Sequence, residues 1–137
     1  MFVKQIDRSI AEDEVDLQMI AARYGFAPTI HHIEKGPLNW IVMMDDLGDE
    51  NTLSNIYGED ASKIPDWIWD DIRRIIAVLI DEGVEYQDIT SYNFIEKDGK
   101  IYVIDFGDAR YISRKREMNW FVKEFMKGHN GWNPDFR

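Results

Sequence analysis

Residues 86–110 read YQDITSYNFIEKDGKIYVIDFGDAR, and the rest of the chain is arranged about them. Phe94-Ile95-Glu96 and Ile101-Tyr102-Val103-Ile104 are short runs of aromatic and β-branched residues, the types that suit a pleated, half-buried strand. Lys97-Asp98-Gly99-Lys100 lies between them, and Asp-Gly is a strong hairpin signal because both turn positions need positive φ. Pairing back from that turn sets Lys97 against Lys100, Ile95 against Tyr102 and Asn93 against Ile104. Asn93 and Asp105 then arrive at the same open end of the hairpin. Cross-strand neighbours lie roughly 5 Å apart, so an amide oxygen and a carboxylate there can share one hard cation. Asp88 precedes Asn93 on the loop that enters the hairpin. Two carboxylates and an amide oxygen, with no thiol, suit an oxygen-seeking ion such as magnesium. The plainer alternative is a surface hairpin whose polar ends are solvated.

Asp88-x-x-x-x-Asn93, a hairpin, and Ile104-Asp105-Phe106-Gly107 together resemble the catalytic loop and magnesium loop of the protein-kinase-like fold. The resemblance implies that Asp88 orients and deprotonates an acceptor hydroxyl. It implies that Asn93 and Asp105 hold magnesium on the phosphates of ATP. A lone Asp-Phe-Gly is weak evidence; the full string at this spacing is specific.

Towards the N-terminus, residues 2–6 alternate as a strand with Phe2, Lys4 and Ile6 on one face. Ser9-Ile10-Ala11-Glu12 has the form of a capping box, which predicts a helix from there to about Tyr24 with Gly25 as its stop. Ile10, Glu14, Leu17, Ala21 and Tyr24 would share one face of it. Glu14 is then a carboxylate in an apolar stripe, where a lone charge is costly, and Lys4 is its natural partner. By the same resemblance this pair positions the nucleotide phosphates. The spacing from Glu14 to Gly25 is also similar to that of aminoglycoside phosphotransferases and the small kinases of the KEOPS complex. Two strands are expected over 29–33 and 40–44, joined by Glu34-Lys35-Gly36-Pro37. His31 and His32 would face opposite ways on a strand, so both read as structural or surface residues. The string from Met44 through Asp45, Asp46 and Leu47 resembles the hinge that grips adenine, with Val42 and Met44 as candidates for the adenine slot; a plain acidic loop is the equal alternative.

A short helix is expected over 51–57 and a polar loop over 58–63. Pro65 marks the first helical position of a long helix, with Asp66, Asp70 and Asp71 near its positive end. Ile68, Ile72, Ile75, Ile76, Leu79 and Ile80 form a broad apolar stripe that Val78 and the tryptophans widen, and Gly83 closes it. That stripe is core packing. A last helix is expected over 118–126, anchored by Trp120, Phe121 and Phe125. Asn119 falls near the aspartate that braces the catalytic loop in KEOPS-type kinases. Arg110, Arg114, Lys115 and Arg116 form a basic cluster, read as a solvated face before a phosphate contact.

The chain has 137 residues, no cysteine, and 26 acidic against 16 basic residues for a net charge of −10. Such a balance argues against nucleic-acid binding through bulk electrostatics, and the absence of thiols excludes disulfide and thiolate chemistry. No apolar run suits a membrane span and the first residues do not read as a signal peptide, so a cytoplasmic protein is expected. The fold class is expected to be α+β: a single kinase-like domain with a reduced N-terminal lobe over 1–48, about three strands plus one helix. A mainly helical C-terminal lobe over 49–137 carries the catalytic hairpin.

Three departures qualify the resemblance. No Gly-x-Gly-x-x-Gly covers the phosphates, Tyr86-Gln87 replaces the usual His-Arg, and no Ala-Pro-Glu follows Gly107. The leading expectation is a minimal phosphotransferase that passes the γ-phosphate of ATP to a hydroxyl on a protein or small molecule. The alternative is a non-catalytic kinase-fold module, a pseudokinase or decoy, that binds a partner protein. A partner or a second copy could supply the missing cover.

Overall fold

The apolar stripe of residues 68–80 becomes the axis of the larger hydrophobic core in the computed structural model, which describes residues 1–114 and 117–136. Helix α3 (Asp66–Asp81) starts directly after Pro65, one residue later than expected. Ile68, Ile72, Ile75, Ile76 and Leu79 are sealed from solvent and pack with Trp69, Phe94, Phe106 and Phe125. Each such aliphatic side chain contributes about 1.5–3 kcal/mol of transfer free energy. Gly83 ends the helix in the left-handed region (φ 80°), where a side chain would be strained.

A second, smaller cluster of Ile6, Ala11, Val15, Val42 and Met44 lies between one helix and a three-stranded sheet. Strands β1 (Phe2–Asp7), β2 (Ile30–Lys35) and β3 (Asn39–Met44) pair antiparallel in the order β1-β3-β2. Helix α1 (Arg8–Arg23) follows β1 without a loop. The expected cap at Ser9 is displaced to Asp7, whose carboxylate accepts the Ser9 backbone N–H at 2.9 Å and the Ser9 hydroxyl at 2.6 Å. Asp7 ends the strand with extended backbone, the conformation an N-cap needs, so it takes the role first.

The buried face of α1 is also rotated from the expected one. Ala11, Glu14, Val15, Leu17, Gln18 and Ala21 are buried, whereas Ile10 and Tyr24 are exposed. The reason is that α1 meets two cores: Ala11 and Val15 pack on the sheet, Leu17 and Ala21 on the larger cluster. Val42, expected in the adenine slot, is fully buried in the sheet cluster instead. The turn between β2 and β3 falls over 36–38 rather than 34–37. A bulge between Ile30 and His32 interrupts the pairing, and both histidines are exposed, in keeping with a surface role.

The central hairpin has the expected register. Strands β5 (Phe94–Lys97) and β6 (Lys100–Val103) pair Ile95 with Tyr102 and Lys97 with Lys100, and Asp98 and Gly99 both have positive φ. One step on, the Ile104 N–H donates to the Asn93 carbonyl at 2.9 Å. The short strands β4 (Val84–Glu85) and β7 (Arg110–Tyr111) pair on the other side of this region. Helix α2 (Leu53–Tyr57) is capped by Thr52 and α4 (Trp120–Met126) by Asn119. Val122 and Phe125 anchor α4, with Phe121 partly buried; Trp120 stands at the helix start and is 57% exposed, so it is not an anchor. No described helix is long and apolar enough to cross a membrane.

Candidate active site

Two local features bring the polar residues of the hairpin end together. The two-residue turn fixes the register, which places Asn93 beside Ile104 and hence next to Asp105. Asp105 itself adopts φ 60°, a left-handed conformation that is uncommon for a residue with a side chain. That turn of the backbone brings the Asp105 carboxylate to Lys4 on β1, with Nζ 3.6 Å from Oδ1. Lys4 also reaches back to Glu14 on α1, with Nζ 2.7 Å from Oε2. The strand–helix ion pair read from the sequence is therefore formed.

Glu14 is 4% exposed, and its charge is matched by the amine it faces. Burial alone would lower the Lys4 pKa, but the Glu14 hydrogen bond and the Asp105 charge outweigh it and hold the amine above its ordinary value. Gly107 packs against this group: a Cβ there would lie 3.2 Å from both Asp105 Oδ1 and Glu14 Oε1. Its N–H donates to Asp105 Oδ1 at 3.1 Å.

Asp88 and Asn93 are both buried, held by the loop that joins β4 to β5. Asn93 Nδ2 donates to the Asp88 carbonyl at 3.1 Å, and the Thr90 hydroxyl donates to Asp88 Oδ1 at 3.2 Å. Burial raises the Asp88 pKa, the Asn93 amide and Thr90 hydroxyl oppose it, and the negative charges of Asp105 and Asp108 add to the rise. A carboxyl with such a shift beside a cleft is suited to proton transfer.

A cleft of about 350 Å³ opens between β1, the end of β3 and this hairpin end. That lies in the range of small-molecule sites, roughly 300–1,000 Å³. Lys4, Met44, Asp45, Asp46, Leu47, Asn93 and Asp105 all line it. Glu14 and Asp88 do not: Glu14 stands behind Lys4, and Asp88 is held behind Asn93. The His31 imidazole, 2.6 Å from Asp45 Oδ1, holds the Asp45 carboxyl below its ordinary range.

One amide oxygen and one carboxylate on the same cleft would suit magnesium delivered on a phosphate. Among the described residues no group of three or more His, Cys, Asp or Glu side chains could hold an ion. Asn93 keeps Oδ1 for a cation because Nδ2 is committed to Asp88, and Asp105 is 48% exposed on the same cleft. Magnesium is commonly held by one or two such oxygens together with substrate phosphates and water.

Other contributors were not legible beforehand. Phe2, Gln18, Pro28 and Tyr92 also line the cleft. Asn133 is fully buried, donates from Nδ2 to the Gln87 carbonyl at 2.8 Å and from its N–H to the Ile89 carbonyl at 2.8 Å. The bracing expected of Asn119 thus belongs to Asn133, since Asn119 spends its side chain on capping α4. Of the basic cluster, Arg110 is paired with Glu85 at 2.7 Å and Arg114 is exposed, while Lys115 and Arg116 lie outside the described residues.

This geometry is that of a protein-kinase-like α+β fold, and the comparison with solved structures agrees. The chain is similar to the PK-1 kinase of the Cydia pomonella granulovirus, with a TM-score of 0.66 at 14% identity over 81% of this chain. It spans 43% of that kinase's length. No protein-family model and no curated protein matches the sequence.

Proposed function

We propose that this chain is a minimal ATP-dependent phosphotransferase that passes the γ-phosphate to a hydroxyl acceptor. The observation that supports it most is the placement of the Lys4 amine between Glu14 and Asp105, at a cleft that Asn93 also lines. Lys4 draws the phosphates in, and Glu14 keeps the amine charged and aimed. Asn93 and Asp105 supply oxygen ligands; magnesium, when bound, neutralises the charge that develops on the phosphates. Asp88 accepts the proton of the acceptor hydroxyl, its raised pKa making it a better base than an ordinary aspartate. Met44, Asp45, Asp46 and Leu47 offer the base end of the cleft an apolar side chain on each side of a polar pair. Phosphoryl transfer needs positioning and charge neutralisation more than covalent help, so a small scaffold suffices. The likeness to a viral kinase supports the same reading at the level of the fold.

Calorimetry should detect magnesium-dependent ATP binding, lost in Asp105→Asn. Asp88→Ala should still bind magnesium-ATP but transfer no phosphate. Turnover in Asp88→Ala equal to that of the unaltered chain would reject the assignment.

One observation favours a second reading, a non-catalytic module that binds a protein. Strand β1 is an edge of its sheet beside the cleft, and Phe2 and Val3 on it are exposed. That reading predicts a stable protein complex in pull-downs and no thermal shift with magnesium-ATP.

A further inference from the structure

Residues 85–87 are consecutive, and each sends its side chain across to the stretch of chain that carries Asp105. Glu85 is fully buried; its Oε1 accepts from Arg110 Nε at 2.7 Å and its Oε2 from the Asn119 backbone N–H at 2.5 Å. The Tyr86 hydroxyl donates to the carbonyls of Ile104 and Asp105. Gln87 Nε2 donates to the Asp108 carbonyl at 2.8 Å. Arg110 passes the connection on, with Nη2 donating to the Glu117 carbonyl at 2.7 Å. The backbone ladder beneath these contacts is two residues long, Val84 with Tyr111 and Glu85 with Arg110. So short a ladder holds little by itself.

A carboxylate sealed from water persists only where its charge and both oxygens are matched. The chemistry proposed above makes no use of Glu85. We propose that Glu85 is a positioning residue, an internal anion that fastens the chain after Asp105 through Arg110 and Asn119. By doing so it keeps Asp105 in its left-handed conformation at the mouth of the cleft. Such a conformation costs energy in a residue with a side chain and survives where the surroundings over-determine it. The neighbouring Tyr86 and Gln87 contacts supply the rest of that constraint. Because Glu85 already occupies the Arg110 guanidinium, this stretch is ordered without a phosphate group added to a nearby hydroxyl. The consequence for magnesium-ATP rests on the proposed function; the ordering of the chain does not.

The test replaces Glu85 in the full chain. Glu85→Ala leaves Arg110 facing a space of carboxylate size, which formate can enter and chloride fills poorly. Amide hydrogen exchange over residues 104–112 should speed up by about tenfold while α3 exchanges as before. Magnesium-ATP affinity should fall by about tenfold, the usual scale for losing a group that orients a metal ligand. Formate should reverse both effects, and chloride at equal ionic strength should not. Unchanged exchange over 104–112, or acceleration spread evenly into α3, overturns the proposal. If Glu85→Ala does not fold, Glu85→Gln keeps the volume and one acceptor oxygen and carries the same exchange measurement. A local exchange change in a chain that binds no magnesium-ATP would uphold the positioning role and reject the function.

Discussion

At Asp88 two demands oppose each other: burial favours the neutral acid, and the proposed proton abstraction needs the anion. Because its folded-state pKa is raised, chiefly by burial, the folded chain takes up this proton at a higher pH than the unfolded chain does. The ionised group therefore costs stability above the raised pKa, and that cost disappears as pH falls through it. Asp88→Asn should accordingly melt at a higher temperature than the unaltered chain at neutral pH, with the gain shrinking toward about pH 4. Transfer activity should show an acid limb above the ordinary aspartate value of about 3.9. Melts and initial rates across a pH series check both. Lys4 and Glu14 pose the reverse problem, since each needs the other. Lys4→Met leaves Glu14 buried without its cation and should cost roughly 1–3 kcal/mol, kept at that scale because Lys4 is partly solvated. The double change Lys4→Met with Glu14→Gln should cost less than the two single changes added, as read from urea midpoints.

Among the elements, the brace that Asn133 gives the loop 86–93 separates what local pattern reveals from what it hides. Asn133 joins the loop 86–93 from more than forty residues away in sequence, and its Nδ2 is a donor to the Gln87 carbonyl. A carboxylate cannot donate, so Asn133→Asp should leave that carbonyl unpaired beside a buried charge. The expected loss is about 1–3 kcal/mol, seen as a lower urea midpoint together with reduced transfer activity. A full-strength brace in Asn133→Asp would show that the backbone N–H to Ile89 suffices alone. No composition or spacing near Asn133 announces this role, and Asn119 was the nearer candidate on pattern. By contrast the hairpin was readable because Asp98-Gly99 demands positive φ at adjacent positions and so fixes register. The stripe of α3 was readable because one core covers one face. On α1 the pattern misled, since Ala11 and Val15 answer to the sheet while Leu17 and Ala21 answer to the larger cluster. Two partners on one helix blur a single 3.6-residue period. Capping failed for a simpler reason: Asp7 and Ser9 are both good caps, and the end of β1 chose between them.

Over the whole molecule, the net charge of −10 opposes compaction, and the cleft gathers part of it at Asp45, Asp46, Asp49 and Asp105. Any salt should relieve that repulsion, because exposed charges are screened over about 10 Å at 0.1 M ionic strength. Thermal melts in rising NaCl should thus shift upward whether or not the cleft has a cation role. A site built from Asn93 and Asp105 adds a separate effect, since an ion that binds the folded chain stabilises it in proportion to its occupancy. Magnesium chloride should therefore raise the melting temperature more than NaCl at matched ionic strength, and ATP should enlarge the difference by supplying phosphate ligands. Asp105→Asn removes only one of the 26 acidic side chains, so it should keep nearly all of the NaCl effect while losing the magnesium excess. Calcium chloride at the same ionic strength is the control for divalent screening, because it carries the same charge but prefers more oxygen ligands than this cleft offers. Identical curves for magnesium, calcium and ionic-strength-matched NaCl, with ATP present, would mean that the carboxylates act only as a charged surface.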